Sequence, residues 1–316
     1  MALTIRKFHT GWNWQQFHQS DEVQIDSNQE ADTVFIQWLE RGERVCKNSV
    51  GVHVLGDNKA FYGFLEYGRD PEKIGELPLL RYYVTQDKLV TNELNQQFWS
   101  EQEQEELIRK LEFSKSAVDG FFVLIGEIIN KFLEGIDDFE ESLRMLEIEM
   151  KEGRNRGSVL DEIIKHRYLL LHWTSLTIPL QEISLAAEEV YLDDLEQSED
   201  YKRTKLRLER IVTLQNYYEK QIDTLLSIDD NLTNYRGNEI MRALTVFTAI
   251  FTPVMAFAAI WGMNFEEMPE LEWQWGYFGS LAFIFISTLF VYLWLLKKGW
   301  LGDLLKGKSQ EEKNKV

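Results

Sequence analysis

Ala243–Phe265 reads ALTVFTAIFTPVMAFAAIWGMNF and Tyr277–Leu296 reads YFGSLAFIFISTLFVYLWLL, two stretches without a charged residue. At a rise of 1.5 Å per residue, about 20 helical residues match the hydrocarbon thickness of a bilayer, so each stretch is expected to be a transmembrane helix. A pair of buried core helices would account for one such run, but poorly for two in tandem beside a basic flank. Neither run is N-terminal, which sets aside a signal peptide. The connection Glu266–Gly276, EEMPELEWQWG, carries four Glu and no Lys or Arg, whereas Arg236 and Arg242 precede the first run and Lys297, Lys298, Lys306 and Lys308 follow the second. The positive-inside rule then predicts a multi-pass protein of the cell membrane with both termini cytoplasmic. Trp261, Trp273, Trp275, Trp294 and Trp300 fall near the expected interfaces, where amphipathic rings are favoured.

The hairpin is a minor part of a chain of 316 residues whose mean hydropathy, −0.31, is that of a soluble protein. An apolar fraction of 44% excludes disorder as the main state. The single cysteine, Cys46, excludes an internal disulfide and a thiolate zinc cluster. The balance of 34 basic against 52 acidic residues gives −18, and nearly all of that excess lies before Ala243. Nucleic acid is therefore not an expected partner, because phosphate binding needs a concentrated basic surface. Cations are.

Residues 1–100 show short β-rich runs, Thr33–Trp38, Val50–Leu55, Ala60–Tyr67 and Leu79–Thr85, with turn signals at Gly56-Asp57-Asn58 and Gln86-Asp87, and predict a small mixed sheet. Residues 101–200 turn to long helical periodicity over Glu103–Phe113, Ala117–Lys151 and Val159–Leu195, broken at Gly153–Gly157. From about Tyr201 to Trp261 only Gly237 and Pro253 interrupt, while Ile211, Leu214, Tyr218, Ile222, Leu225, Ile228, Leu232 and Tyr235 recur three and four apart. One helix about 90 Å long is expected to serve as stalk (201–242) and then first span (243–261). Its apolar stripe needs partners, so a symmetric oligomer is implied; a helix broken at Gly237 and packed within the chain is the competing reading. A loop (262–276), the second span (277–296) and a basic tail (297–316) complete an α+β cytoplasmic part, mixed sheet with long helices, joined to a two-helix transmembrane hairpin.

Within the first span the hydroxyl-bearing residues Thr245, Thr248 and Thr252 lie on one helical face, which extends back to Met241 and Asn238 and forward to Met255 and Ala259. Polar groups at membrane depth usually face a bundle interior or a watery path, although a threonine can instead bond the carbonyl four residues back in its own helix. Pro253 leaves the Ala249 carbonyl without its usual donor. The span closes on Gly262-Met263-Asn264, followed by Met268-Pro269-Glu270-Leu271, Trp275-Gly276-Tyr277 and, after the second span, Lys297-Lys298-Gly299-Trp300-Leu301. In this set of motifs, over residues 238–301, the chain resembles the CorA family of divalent-cation transporters. Before that, it matches only in the order of sheet, helices and stalk.

The resemblance implies a funnel-shaped homopentamer in which the first span of each subunit lines one axial pore for passive uptake of hydrated divalent cations. Mg2+ leads, with Co2+ and Ni2+ as further candidates; the ion is cargo and regulator, and no cofactor is implied. Gly262, Met263 and Asn264 would form the selectivity filter, where neutral amide oxygens hold the water shell of Mg2+ without trapping the ion. Asn238, Met241, Leu244, Thr252, Met255 and Ala259 match the family's pore-lining positions, with Thr245 and Thr248 beside them on the polar face. Met241 and Leu244 would be an apolar constriction that gates by dewetting. Thr252 and Met255 stand where the family often has an apolar and a polar residue respectively, so these two rings are exchanged. Glu266, Glu267, Glu270 and Glu272 would concentrate cations at the mouth. Inhibition by intracellular Mg2+ would act through acidic residues, for which Glu188, Glu189, Asp193, Asp194, Asp229 and Asp230 are the candidates; a solvated charged face is the alternative.

A zinc transporter of the same superfamily, proton-coupled or not, is the main rival function. A non-conducting membrane scaffold explains the two spans and the stalk but not the aligned face ending at Gly-Met-Asn. An enzyme finds little support: His9, His18, His53, His166 and His172 lack metal-ligand spacing, and there is no Walker-type phosphate loop.

Overall fold

Alternation with a period of two decides which way each strand residue of the N-terminal sheet faces. The computed structural model describes residues 4–17, 33–41, 48–56, 58–68, 77–152, 156–263, 268–269 and 273–300. The chain divides into two compact units, Met1–Leu226 and Ser227–Val316.

In the first unit six strands, β1 (Thr4–Lys7), β2 (Asn13–Phe17), β3 (Ser49–Leu55), β4 (Asn58–Glu66), β5 (Leu79–Val84) and β6 (Lys88–Asn92), form one mixed sheet in the order β1-β2-β6-β5-β4-β3. All neighbours are antiparallel except β2 and β6, which run parallel. The buried Trp14 indole bridges that pair, its Nε1 donating to Thr91 Oγ1 at 2.9 Å. Phe61, Leu65, Leu80, Tyr82, Val84 and Leu89 point to one face, onto the long helices. Ala60, Phe64, Tyr83 and Val90 point to the other, where α1 (Thr33–Arg41) seals them with Trp38.

The segment Thr33–Trp38, expected as a strand, is thus the start of helix α1. Its β-favouring residues suggested extension, but Val34, Phe35, Trp38 and Leu39 are spaced for a helix and pack together on the sheet. Packing of the stripe outweighs intrinsic strand preference.

The helical region is α2 (Glu101–Leu111), α3 (Ala117–Glu152), α4 (Arg156–Gln197) and α5 (Glu199–Trp261). α2 starts earlier than the periodicity suggested because Ser100 and Glu103 form a capping box: Glu103 N–H donates to Ser100 Oγ at 3.3 Å and Ser100 N–H to the Glu103 carboxylate at 2.7 Å. Gly120 of α3 admits Trp12, since a Cβ there would fall 2.5 Å from the indole. α4 is kinked at Leu192.

α5 belongs to both units and passes through Gly237 and Pro253 without interruption, so the reading of a helix broken at Gly237 is not what the chain adopts. In the second unit α6 (Gly276–Lys297) packs on it through Val246, Ala249 and Ile250 against Val291 and Leu295, and through Phe257 edge-on to Phe283 at 4.8 Å. Both α6 and the C-terminal part of α5 are long and apolar enough to cross a membrane, and almost none of their side chains is buried within the chain.

A candidate ion pathway on the membrane hairpin

Helix α5 presents two opposite faces to its surroundings in the apolar segment. One carries Val246, Ala249, Ile250 and Phe257 and is occupied by α6. Stepping 100° per residue places Met241, Leu244, Thr248, Thr252, Met255 and Ala259 on the far side. Exposure follows that geometry: Val246 is 6% exposed, whereas Met241, Leu244 and Met255 are 62%, 58% and 58% exposed. Asn238 and Thr245 are exposed on its margin. The residues singled out from spacing and resemblance thus share the face that the chain's own hairpin leaves open.

The three hydroxyls on this face bond their own helix. Thr245 Oγ1 donates to the Met241 carbonyl at 2.7 Å, Thr248 Oγ1 to Leu244 at 2.8 Å and Thr252 Oγ1 to Thr248 at 2.7 Å. This is the local back-bonding open to threonine in any helix. It has a chemical consequence: with each hydroxyl hydrogen committed inward, the oxygen keeps its acceptor lone pairs. Such oxygens suit the hydrogens of water around a cation.

At the end of the span the Gly262 N–H donates to the Ala258 carbonyl at 3.0 Å and the Met263 N–H to Ile260 at 3.3 Å, closing the helix before the third residue of the triplet. A Cβ on Gly262 would lie 3.0 Å from the Ala258 oxygen. Trp261 stacks on Phe257 (5.8 Å), the residue that meets Phe283, so this indole acts in packing. Met263 is exposed. Asn264 and the loop carboxylates Glu266, Glu267, Glu270 and Glu272 lie outside the described residues.

Among the described residues the acidic candidates form no metal-binding group. Glu188 accepts from Lys205 Nζ at 2.6 Å and from the Tyr201 hydroxyl, and these two contacts, the lysine first, hold its carboxyl below the usual range. Glu189 and Asp194 lie on either side of the Leu192 kink, and nothing is described of the Asp193 side chain. Asp229 and Asp230 belong to the second unit. Among the described residues no three His, Cys, Asp or Glu side chains gather as a metal site would require. A neighbour that spacing along the chain did not reveal is Asp119 of α3, which accepts a hydrogen bond from the Ser198 hydroxyl at the start of α5. Burial, and next the charge of Asp119, push the Asp200 carboxyl up. That meeting joins residues some 80 apart and has no signature in either segment.

Comparison with known proteins gives these elements a setting. The family model of CorA-like Mg2+ transporter proteins matches residues 56–298. The chain is 33% identical to the magnesium transport protein CorA of Bacillus subtilis over 313 residues, covering 97% of this chain and 98% of that protein. It is 32% identical over 190 residues to the cobalt/magnesium transport protein CorA of Thermotoga maritima, covering 58% and 50% respectively. In fold it is similar to the CorA magnesium transporter of Methanocaldococcus jannaschii, with a TM-score of 0.62 at 17% identity over 92% of each chain.

Proposed function

This chain belongs to the family of CorA-like Mg2+ transporter proteins, and we propose that it conducts hydrated divalent cations, Mg2+ first among them, passively across the cell membrane through a pore built by several copies. It is a membrane protein of a family of ion transporters, so no catalytic step is assigned to it. The observation that carries the reading is the open face of α5. Two acceptor oxygens, of Thr248 and Thr252, and two apolar gate residues lie opposite the face that packs on α6, with the Thr245 oxygen at the margin. A single hairpin leaves that face bare, and symmetric copies around an axis would enclose it.

In this arrangement Gly262, Met263 and Asn264 form the filter, and Glu266, Glu267, Glu270 and Glu272 raise the cation concentration at its mouth. Both termini lie in the cytoplasm. Among the sensor candidates Glu189, Asp193, Asp194, Asp229 and Asp230 keep that role, and Glu188 is held by Lys205. The ion is cargo, and no cofactor takes part.

Flux into proteoliposomes tests the reading. Mg2+ uptake is expected down its gradient without a proton gradient, with Co2+ and Ni2+ carried and Zn2+ carried less well. Uptake of Zn2+ alone, or uptake that requires a proton gradient, would favour the zinc-transporting branch, and no flux of any divalent ion would leave a scaffold.

The number of copies proposed is five. A feature of α4 supports self-association: Ile164, Leu171, Ile178 and Leu185 recur at intervals of seven along one stripe, and all four are exposed. A heptad line of large apolar residues matches the seam of helix-to-helix packing, and a charged residue within it disfavours assembly. Native mass spectrometry in mild detergent should give five times the chain mass, with Ile178→Lys lowering the pentamer fraction. A stable monomer or dimer of the wild type speaks against the number.

A further inference from the structure

A cavity of about 1070 Å³ lies within the first unit, where the end of β4, the start of β5 and the segment after β6 meet α2 and α4. Side-chain amides bonded to the backbone fix its frame. Asn48 Oδ1 accepts from the Glu66 N–H at 2.7 Å, and Asn92 accepts from the Arg81 N–H at 2.7 Å while donating to the Leu79 carbonyl at 2.9 Å. Asn95 Oδ1 accepts from the N–H groups of Gln97 (2.8 Å) and Phe98 (3.2 Å), which shapes the turn from β6 toward α2. The walls are thus set by the fold itself, as in most small-molecule sites. The proposed ion path makes no use of them.

The lining has a definite chemistry. Among its described residues there is no Lys or Arg, and the one histidine, His172, is uncharged at pH 7 because burial pushes its pKa down. Glu66 and Glu93 bring carboxylates, of which Glu93 already has a partner within the chain. Two further residues commit hydrogens to the backbone: Gln104 Nε2 donates to the Trp99 carbonyl at 3.3 Å and Ser175 Oγ to the His172 carbonyl at 2.7 Å. The oxygens of both keep acceptor lone pairs. Leu77, Pro78, Leu94 and Leu176 make up an apolar part of the wall.

This combination selects among ligands. A phosphate or nucleotide would meet carboxylates and, among the described residues, no cation. An inorganic cation gains nothing from the leucines, and no three acidic, histidine or cysteine side chains gather among the described residues to ligate it. A flat heterocycle finds no aromatic ring among the described lining residues on which to stack. An alkyl chain bearing ammonium groups uses both kinds of wall, since ammonium is a pure donor and methylenes are apolar. We propose that this cavity binds a linear aliphatic diamine or polyamine, with one ammonium on the Glu66 carboxylate, another on the oxygens of Gln104 and Ser175, and the methylenes against Leu77, Leu94 and Leu176. The inference goes beyond the transport reading and does not rest on it.

Calorimetric titration of the full chain in mild detergent tests this with four probes: spermidine, 1,4-diaminobutane, butylamine and magnesium chloride. A hydrogen bond to a charged group contributes about tenfold or more in affinity, so 1,4-diaminobutane should bind about tenfold or more tighter than butylamine, with spermidine at least equal to the diamine. Glu66→Gln should weaken diamine binding about tenfold, and Ser175→Ala about threefold or more. Glu149→Gln, which removes an exposed carboxylate of α3 from outside the cavity, should change it less than twofold. Equal loss in Glu66→Gln and Glu149→Gln would reduce the effect to diffuse attraction by an acidic chain and overturn the proposal. So would equal affinity for butylamine and the diamine, no heat from any amine, or magnesium chloride displacing the diamine at equal concentration. If Glu66→Gln does not assemble, the wild-type ratio of diamine to butylamine and the Ser175→Ala variant decide. None of these readouts measures ion flux, so a failure of the transport reading leaves them interpretable.

Discussion

Uptake of Mg2+ should fall by about a hundredfold or more when Asn264 is replaced by alanine, with the oligomer's mass unchanged. The size follows from symmetry. A hydrogen bond from a side chain to ion-bound water contributes on the order of 1 kcal/mol net, and one substitution removes it from every copy around the axis at once. Five such losses amount to roughly three and a half orders of magnitude if all five amides engage the same hydrated ion, and to less if only some do. Mg2+ gives up its water reluctantly, so a mouth without amide acceptors does not compensate by binding the bare ion. Assembly should survive because the helix closes before this residue, through the Gly262 bond to Ala258 and the Met263 bond to Ile260, while the aromatic packing at this level belongs to Trp261, Phe257 and Phe283. The measurement is Mg2+ flux into proteoliposomes alongside native mass spectrometry. Uptake at the wild-type rate with Asn264→Ala would show that the mouth lies elsewhere.

Leu244→Asn should make conduction nearly insensitive to internal Mg2+, where the wild type is inhibited about tenfold or more. Met241 and Leu244 are exposed on the open face of α5, one turn before Thr245 and Thr248 respectively. Rings of such side chains around an axis exclude a water column when they approach, which blocks a hydrated ion without any direct contact. Asparagine keeps the branched outline of leucine but is smaller and hydrogen-bonds water, so the column persists where leucine would exclude it. Internal Mg2+ can act only through a difference in its affinity for the open and closed states. Once the closed geometry no longer dries the pore, that difference has no effect on flux. Ion preference should change much less, because the proposed filter lies at the opposite end of the span. Uptake by both proteins at low and high internal Mg2+ decides: equal inhibition removes the gate from Leu244, and no inhibition in the wild type removes the cytoplasmic sensor.

The rest of the molecule divides according to how far apart in the chain the deciding groups lie. Two uncharged runs of about 20 residues are legible without a fold, because hydrocarbon thickness is an external ruler and the helix rise is constant. The long helices are legible for a similar reason, since α3, α4 and α5 carry periodicity over many turns, and α2 begins only two residues before the periodic stretch because its cap, Ser100, sits outside that stretch. The open face of α5 was half legible. Spacing aligned Asn238, Met241, Thr245, Thr248, Thr252, Met255 and Ala259, but that α6 covers the opposite face depends on Val246 meeting Leu295, a contact across the loop. The hydroxyl bonds of the three threonines were foreseen only as an alternative, because a local carbonyl competes with any partner across a pore.

Thr33–Trp38 marks where local reading failed. Its residues favour a strand one at a time, and only the apolar surface of Phe64 and Tyr83 on the finished sheet makes a helical stripe the better way to bury Trp38. The parallel pairing of β2 with β6, the capture of Glu188 by Lys205 and the meeting of Asp119 with Ser198 are of the same kind. By itself the sequence determined the membrane hairpin, the long helices and the residues that share the open face, because each depends on spacing within one helix. Only the tertiary structure decided what covers the sheet, which carboxylates are already neutralised and which face of α5 stays bare, because each of those depends on a surface that exists only after distant segments have packed.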